Sequence, residues 1–115
     1  MKRVLTCEDD PDIFMMVSAI VDKSAEMDNA TDLADARHTL ENNHSDLTIL
    51  DISLPGGSGM ELLPVNGASP PIPVVVFSAR EMGLENIQGV KSALVKSRID
   101  NAQLLATINR LIGVE

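Results

Sequence analysis

The feature of this sequence that most constrains its fold is the alternation of short apolar runs with longer stretches of helical periodicity. Residues 47–50 read LTIL and residues 74–77 read VVVF, and each run is nearly continuous in apolar side chains. A strand without a polar face belongs in a parallel sheet that helices cover on both sides. The stretches between such runs place apolar residues three and four positions apart, which is typical of amphipathic helices. The sequence therefore predicts an α/β fold with a doubly wound parallel sheet.

Five strands and their connecting helices follow from this pattern. The predicted strands cover residues 3–7, 26–31, 47–50, 74–77 and 92–95, and the clearest predicted helices cover residues 12–24, 33–42 and 101–112. Asp32 is the predicted N-cap of the second helix, and Gly113 marks the end of the last one. Pro64 and the pair Gly83 and Gly89 fall where the third and fourth helices belong, so both helices are expected to be short or partly irregular. The expected strand order is 2-1-3-4-5, in a flavodoxin-like three-layer sandwich.

Length and charge narrow the class of protein further. The chain has 115 residues, which suits a single domain over residues 1–115 with one core. Its formal net charge of -8 disfavours direct binding to nucleic acid or to anionic lipid. Cys7 is the one cysteine, so it is predicted to be a core thiol in a reducing compartment. Charge at Glu8 ends the first apolar run too early for a signal peptide or a membrane span, so we expect a cytoplasmic location.

Polar side chains gather at the carboxyl ends of the predicted strands, where open α/β sheets bind their ligands. They are Glu8, Asp9 and Asp10 after the first strand, Asp51 after the third, Ser78 after the fourth and Lys96 after the fifth. Carboxylates at close quarters repel one another, so such a cluster calls for a cation. Mg²⁺ takes oxygen ligands in an octahedral shell and keeps several waters, so it suits this set. A carboxylate beside Mg²⁺, with an ammonium and a hydroxyl nearby, has what phosphoryl transfer to Asp51 needs.

Four segments in order resemble the receiver domain of bacterial response regulators, the phosphoacceptor domain of two-component systems. They read CEDDPDI at 7–13, DLTILDISLPGGSGMELL at 46–63, PVVVFSA at 73–79 and ALVKS at 93–97. The specificity lies in their combination, and the resemblance covers essentially the whole chain. The phrasing of the last two segments is also similar to receiver modules of hybrid sensor kinases, although a start at Met1 is equally consistent with a stand-alone protein.

The resemblance implies roles for individual residues. Asp51 would accept a phosphoryl group from phosphohistidine on a histidine kinase or a histidine phosphotransfer protein. The implied site residues are Asp51, Lys96 and Ser78 for phosphoryl transfer, and Glu8, Asp9, Asp51 and the backbone carbonyl of Ser53 for Mg²⁺, with Mn²⁺ as the alternative ion. Asp10 could face the ion in place of Glu8. A receiver is a signalling domain and not an enzyme, because it assists only its own phosphorylation and dephosphorylation.

Three departures from the family pattern motivate an alternative function. Ser97 follows Lys96 where the family usually has proline, and Ala93 stands where an aromatic residue is common. The interval before Lys96 is also a few residues shorter than usual, which shortens the expected fourth helix. The alternative is a receiver-like adapter that docks a partner protein without a phosphorylation cycle. A magnesium-dependent phosphatase with an aspartyl-phosphate intermediate would generally carry a second Asp just after the nucleophile, whereas Ile52 and Ser53 follow Asp51 here.

Overall fold

The apolar runs pair side by side in one parallel sheet. The computed structural model describes residues 2–21, 25–43, 45–59, 73–78, 90–95 and 100–113. In chain order the described elements are β1 (Lys2–Cys7), α1 (Pro11–Val21), β2 (Ala25–Ala30), α2 (Leu33–Asn42), β3 (Leu47–Leu50), β4 (Ser53–Leu54), β5 (Gly57–Ser58), β6 (Val74–Ser78), β7 (Val90–Val95) and α3 (Asn101–Ile112). The five-stranded sheet has the order β2-β1-β3-β6-β7, and every neighbouring pair is parallel. Counted among these five strands alone, this is the predicted order 2-1-3-4-5.

The helix ends follow from local chemistry. Pro11 opens α1, where its missing N–H is no loss because the first amides of a helix have no partner within it. Asp32 caps α2 by accepting a hydrogen bond from the Asp35 N–H at 2.7 Å, as the sequence predicts. Asp100 caps α3 in the same way, and Gly113 ends that helix in the left-handed conformation at φ 81°.

The hydrophobic core lies on both faces of the sheet, because successive side chains of a strand point to opposite sides. Leu5, Leu50 and Val76 pack with residues of α2, while their strand neighbours Val4, Ile49 and Val75 pack with residues of α1 and α3. All six of these side chains are buried. The sheet therefore has a helical layer on each face, which confirms the predicted doubly wound sandwich.

The observed boundaries differ from the sequence-based ones by a residue or two. β1 and β2 each begin one residue earlier than predicted, β6 runs on to Ser78, and β7 begins at Val90 instead of residue 92. The antiparallel hairpin of β4 and β5 has no counterpart among the predicted elements. The predicted third and fourth helices lie outside the described residues. Among the described helices, none is long and apolar enough to cross a membrane.

Candidate metal centre

The strand register brings the predicted site residues to one edge of the sheet. Cys7 of β1 pairs with Leu50 of β3, so the next residues, Glu8 and Asp51, leave the sheet side by side. The Asp51 N–H donates to the Cys7 carbonyl oxygen at 3.0 Å, which extends the ladder by one residue. Because the strands are parallel, both carboxylates lie at the carboxyl edge.

Three carboxylates form the centre of the site. Glu8, Asp9 and Asp51 each place one oxygen so that the three atoms lie within 4.8 Å of one another. Ligands on opposite sides of an octahedral Mg²⁺ shell, with bonds of about 2.1 Å, lie about 4.2 Å apart, so small movements would bring all three oxygens to one ion. All three candidate ligand atoms are carboxylate oxygens, which favours a hard cation over zinc or copper. These residues fit a magnesium ion.

Burial strengthens the repulsion among the three carboxylates and so favours the binding of a cation. Glu8 is 5% exposed and Asp51 is 6% exposed, while Asp9 is open to solvent. Repulsion between carboxylates is stronger where water is excluded, because the effective dielectric constant is lower there. The exposed Asp9 leaves one side of the cluster open. An ion could enter from that side and keep part of its water shell.

Asp10, the third acid of the run, accepts hydrogen bonds from the start of α1. Its Oδ1 accepts a hydrogen bond from the Asp12 N–H at 2.9 Å, and its carbonyl oxygen accepts one from the Phe14 N–H at 3.1 Å. These contacts join the turn after β1 to the first turn of α1. The sequence left open whether Glu8 or Asp10 faces the ion, and the structure groups Glu8, not Asp10, with Asp9 and Asp51.

The turn after β3 orients Asp51. The Ser53 N–H donates to Asp51 Oδ1 at 3.0 Å, and the Gly59 N–H donates to the Ile52 carbonyl oxygen at 2.7 Å. The hairpin between these two contacts pairs Ser53 with Ser58. The local fold therefore holds one carboxylate oxygen of Asp51 against its own backbone.

Gly59 closes this turn through a steric requirement. A Cβ added at residue 59 would overlap the Asp51 carbonyl oxygen and would lie 3.1 Å from Leu50 Cδ1. Residue 59 is buried, so the chain has little room to relax around a side chain. This close approach depends on the path of the folded backbone, so the sequence alone does not reveal it.

Glu8 is held by contacts that sequence reasoning missed. Its N–H donates to the Ala30 carbonyl oxygen at 3.0 Å, and its carboxylate Oε2 accepts from the Asp10 N–H at 3.3 Å. On the adjoining strand, Asn29 Nδ2 lies 3.4 Å from the Glu8 carbonyl oxygen, and Asn29 Oδ1 accepts from the Thr6 hydroxyl at 2.8 Å. Thr6 was the sequence signal that could have indicated these contacts, because it is a polar residue inside an apolar strand. It lies two residues before Glu8 and on the same face.

The remaining predicted residues stand as follows. Ser78 ends β6 and is 6% exposed. Ser53 is exposed at the start of β4, and the ligand role of its carbonyl stays a prediction. Lys96 and Ser97 lie outside the described residues. Ala93 in β7 is partly buried and packs against the core on the α2 face.

Cys7 is the last residue of β1 and immediately precedes Glu8 of the acidic cluster. It is 1% exposed, and burial, together with the negative charges of Asp35 and Asp51, raises the pKa of its thiol to about 12. The thiol is therefore protonated at neutral pH, which suits a core residue and not a nucleophile.

Comparison with known proteins decides the family. The family model for the response regulator receiver domain matches residues 4–109. The chain belongs to this family. The match spans every predicted site residue, namely Glu8, Asp9, Asp51, Ser53, Ser78 and Lys96. A search of curated proteins gave no match.

Solved structures of receiver domains share the fold. A CheY-like response regulator receiver domain protein from Methanospirillum hungatei is 22% identical with a TM-score of 0.87, over 98% of this chain and 94% of that one. The response regulator TrrA from Thermotoga maritima, solved in complex with Mg²⁺ and BeF, is 24% identical with a TM-score of 0.83, over 96% and 99% of the two chains. The receiver domain of a sensor histidine kinase from Pseudomonas aeruginosa, with magnesium coordinated in its active site cleft, is 20% identical with a TM-score of 0.82, over 97% and 98%.

Proposed function

We propose that this receiver domain accepts a phosphoryl group on Asp51 in a Mg²⁺-dependent reaction and thereby changes conformation to pass on a signal. The observation that carries the proposal is the meeting of three carboxylate oxygens, from Glu8, Asp9 and Asp51, within 4.8 Å at the carboxyl edge of the sheet. Similar receiver domains from Thermotoga maritima and Pseudomonas aeruginosa were solved with magnesium. The donor would be phosphohistidine on a histidine kinase or a histidine phosphotransfer protein.

In the proposed reaction a carboxylate oxygen of Asp51 attacks the phosphorus atom. A bond forms between that oxygen and phosphorus, the bond between phosphorus and the histidine nitrogen breaks, and the electron pair stays on the imidazole. Bound magnesium would supply positive charge to the phosphoryl oxygens. Its proposed ligands are Glu8, Asp9, Asp51 and the Ser53 carbonyl.

Asp51 is suited to the role of nucleophile by its placement. The Ser53 N–H holds its Oδ1 at 3.0 Å, and the turn closed by Gly59 limits how its backbone can move. A nucleophile that is already oriented loses less conformational freedom when it reacts. Lys96 would neutralise a phosphoryl oxygen, and the Ser78 hydroxyl would donate a hydrogen bond to another. Water would later hydrolyse the aspartyl phosphate and regenerate the carboxylate.

Intact-mass measurement after incubation with acetyl phosphate or phosphoramidate tests the proposal. The wild type should gain one phosphoryl group when Mg²⁺ is present and none when it is chelated. Asp51→Asn should gain none under either condition, while Asp12→Asn, an exposed acid on α1 outside the cluster, should behave as the wild type does. Bound Mg²⁺ without any mass gain would overturn the proposal and support the phosphorylation-independent adapter.

A further inference from the structure

A small polar network connects β2 to the backbone of the acidic cluster. Thr6 is 1% exposed, and its Oγ1 lies 2.8 Å from Asn29 Oδ1 and 3.1 Å from the Asp28 carbonyl oxygen. A hydroxyl has a single proton to donate, and the shorter contact is the one to Asn29. That hydrogen bond sets which side of the Asn29 amide carries the oxygen. The NH₂ group is consequently turned toward Glu8, with Nδ2 at 3.4 Å from the Glu8 carbonyl oxygen.

This carbonyl belongs to the peptide that joins the two adjacent acids of the cluster. The peptide unit is planar, so the direction of the Glu8 carbonyl also sets the direction in which Asp9 begins. The Glu8 N–H is already held by the Ala30 carbonyl oxygen at 3.0 Å. With both its N–H and its carbonyl engaged by β2, the backbone of Glu8 has little freedom to rotate. The carboxylates of Glu8 and Asp9 would otherwise move apart under their mutual repulsion.

We propose that Thr6 and Asn29 are positioning residues, which hold the Glu8–Asp9 peptide in the orientation that brings both carboxylates to a divalent cation. This inference rests on the proposed function for the identity of the ion. Thr6 acts through Asn29, and neither residue belongs to the proposed ligand set of Glu8, Asp9 and Asp51. The two residues stand on different strands, paired in register as Thr6 and Asn29 of β1 and β2, so their relative position is set by the sheet itself.

The size of the expected effect follows from the contacts. Groups that orient metal ligands commonly change metal affinity by about 10- to 100-fold when they are removed. Here the contact reaches the main chain and not the carboxylate, and at 3.4 Å it is longer than an ordinary N–H···O hydrogen bond. We therefore expect a weaker effect, about three- to tenfold, which is the range of one ordinary hydrogen bond.

Calorimetric titration of the metal-free protein with MgCl₂ alone measures the affinity directly. Asn29→Ala and Thr6→Val should each raise the dissociation constant about three- to tenfold. Thr6→Ser keeps the hydroxyl and should bind nearly as the wild type does. Thr48→Val is the matched control, because it makes the same change at a buried threonine of β3 that makes no hydrogen bond within the described part of the chain. It should leave the affinity unchanged.

The double variant separates positioning from general destabilisation. Because Thr6 acts through Asn29, Thr6→Val combined with Asn29→Ala should bind Mg²⁺ no more weakly than Asn29→Ala alone, whereas independent effects would multiply. The maximal rate of phosphorylation at saturating Mg²⁺ should stay near that of the wild type, with only the Mg²⁺ concentration for half-maximal rate increased. Urea unfolding of each variant shows that the titrated protein is folded.

The outcomes distinguish this inference from the proposed function. If the wild type binds Mg²⁺ and both single variants bind it equally well, the inference is wrong and the proposed function stands. Multiplied losses in the double variant would also overturn the linked action of Thr6 and Asn29. If the wild type itself binds no Mg²⁺, the proposed function fails and the inference fails with it.

Discussion

Gly59 and Asp51 come so close that the backbone carbonyl of Asp51 occupies the space that a side chain at residue 59 would need. The two residues are eight positions apart, and the β4–β5 hairpin lies between them. Their contact closes the loop that follows the proposed phosphoacceptor. The identity of residue 59 is thus tied to the geometry of residue 51.

Gly59→Ala should therefore destabilise the protein and displace Asp51. The clash is with backbone atoms, so we expect a loss of about 1–3 kcal/mol in the free energy of unfolding, as for other overpacked sites. Urea unfolding measures this loss. Gly113→Ala is the control, because a Cβ there meets open space although φ is 81°. It should cost about 1–2 kcal/mol through backbone strain alone, because an L-residue is disfavoured in the left-handed conformation, and it should leave phosphoryl uptake unchanged. Equal phosphoryl uptake by Gly59→Ala and the wild type would contradict the prediction.

Asp9→Asn should separate metal binding from metal-free stability. A cation that binds the folded state alone stabilises it by about 2.7 kcal/mol when its concentration is 100 times its dissociation constant. Removing one of three carboxylates should abolish most of that gain. Without metal, the free energy of unfolding should stay within about 0.5 kcal/mol of the wild type or rise, because Asp9 is exposed and its charge adds to the repulsion. Thermal unfolding with and without MgCl₂ measures both effects.

Asp12→Asn is the charge-matched control for that experiment. Asp12 is exposed in the first turn of α1 and is not one of the clustered acids. It should therefore keep nearly all of the Mg²⁺-dependent stabilisation. A loss as large as that of Asp9→Asn would mean that net charge, and not the cluster geometry, governs cation binding.

Two buried threonines on neighbouring strands should respond differently to the same substitution. Thr6 donates a hydrogen bond, whereas the Thr48 hydroxyl has no partner within the described residues. Thr6→Val should lower the free energy of unfolding by about 1 kcal/mol, and Thr48→Val should leave it unchanged or raise it by up to about 1 kcal/mol. Urea unfolding of the two variants side by side makes the comparison. A loss at Thr48 as large as that at Thr6 would contradict the prediction.

Ionisation of the Cys7 thiol should lower the free energy of unfolding at alkaline pH. The pKa of its thiol is about 12 in the folded protein, above the ordinary value of 9.0, so the unfolded chain releases this proton first as the pH rises. The contribution is complete below pH 9 and is lost between about pH 9 and 12, by up to ~1.4 kcal/mol per pH unit. Urea unfolding from about pH 8 to about pH 10.5, compared with Cys7→Ala, isolates it. Identical pH slopes for the two proteins would exclude the effect.

Local signals made much of the fold predictable. The apolar runs at 47–50 and 74–77 are strands because no side of them suits water, and each forms where the pattern places it. The N-cap Asp32 and the terminal Gly113 were also predictable, because a helix end depends on groups within a few residues of one another. The β4–β5 hairpin was not, since Ser53 and Leu54 carry no alternating pattern long enough to indicate a strand.

The candidate site was predictable to the extent that it depends on strand ends. Parallel strands bring their carboxyl ends to one edge, so Glu8, Asp9 and Asp51 could be grouped before any contact was known. The sequence did not show which of the three consecutive acids lies outside the cluster. Asp10 does, because its carboxylate accepts a hydrogen bond from the Asp12 N–H, and composition does not reveal that contact. Lys96 stays a prediction of the sequence pattern.

The sequence by itself determined the α/β class and which polar residues stand at the strand ends, because these follow from periodicity and from the points at which the apolar runs stop. The strand order was expected from the common topology of five-stranded doubly wound sheets. Only the tertiary structure decided that Glu8 and not Asp10 joins the cluster, that Gly59 contacts Asp51, and that Thr6 reaches Asn29 across 23 positions of sequence. The physical reason is that such contacts depend on strand register and on the path of a turn. Both are set by the packing of the whole sheet, which no short stretch of the chain encodes.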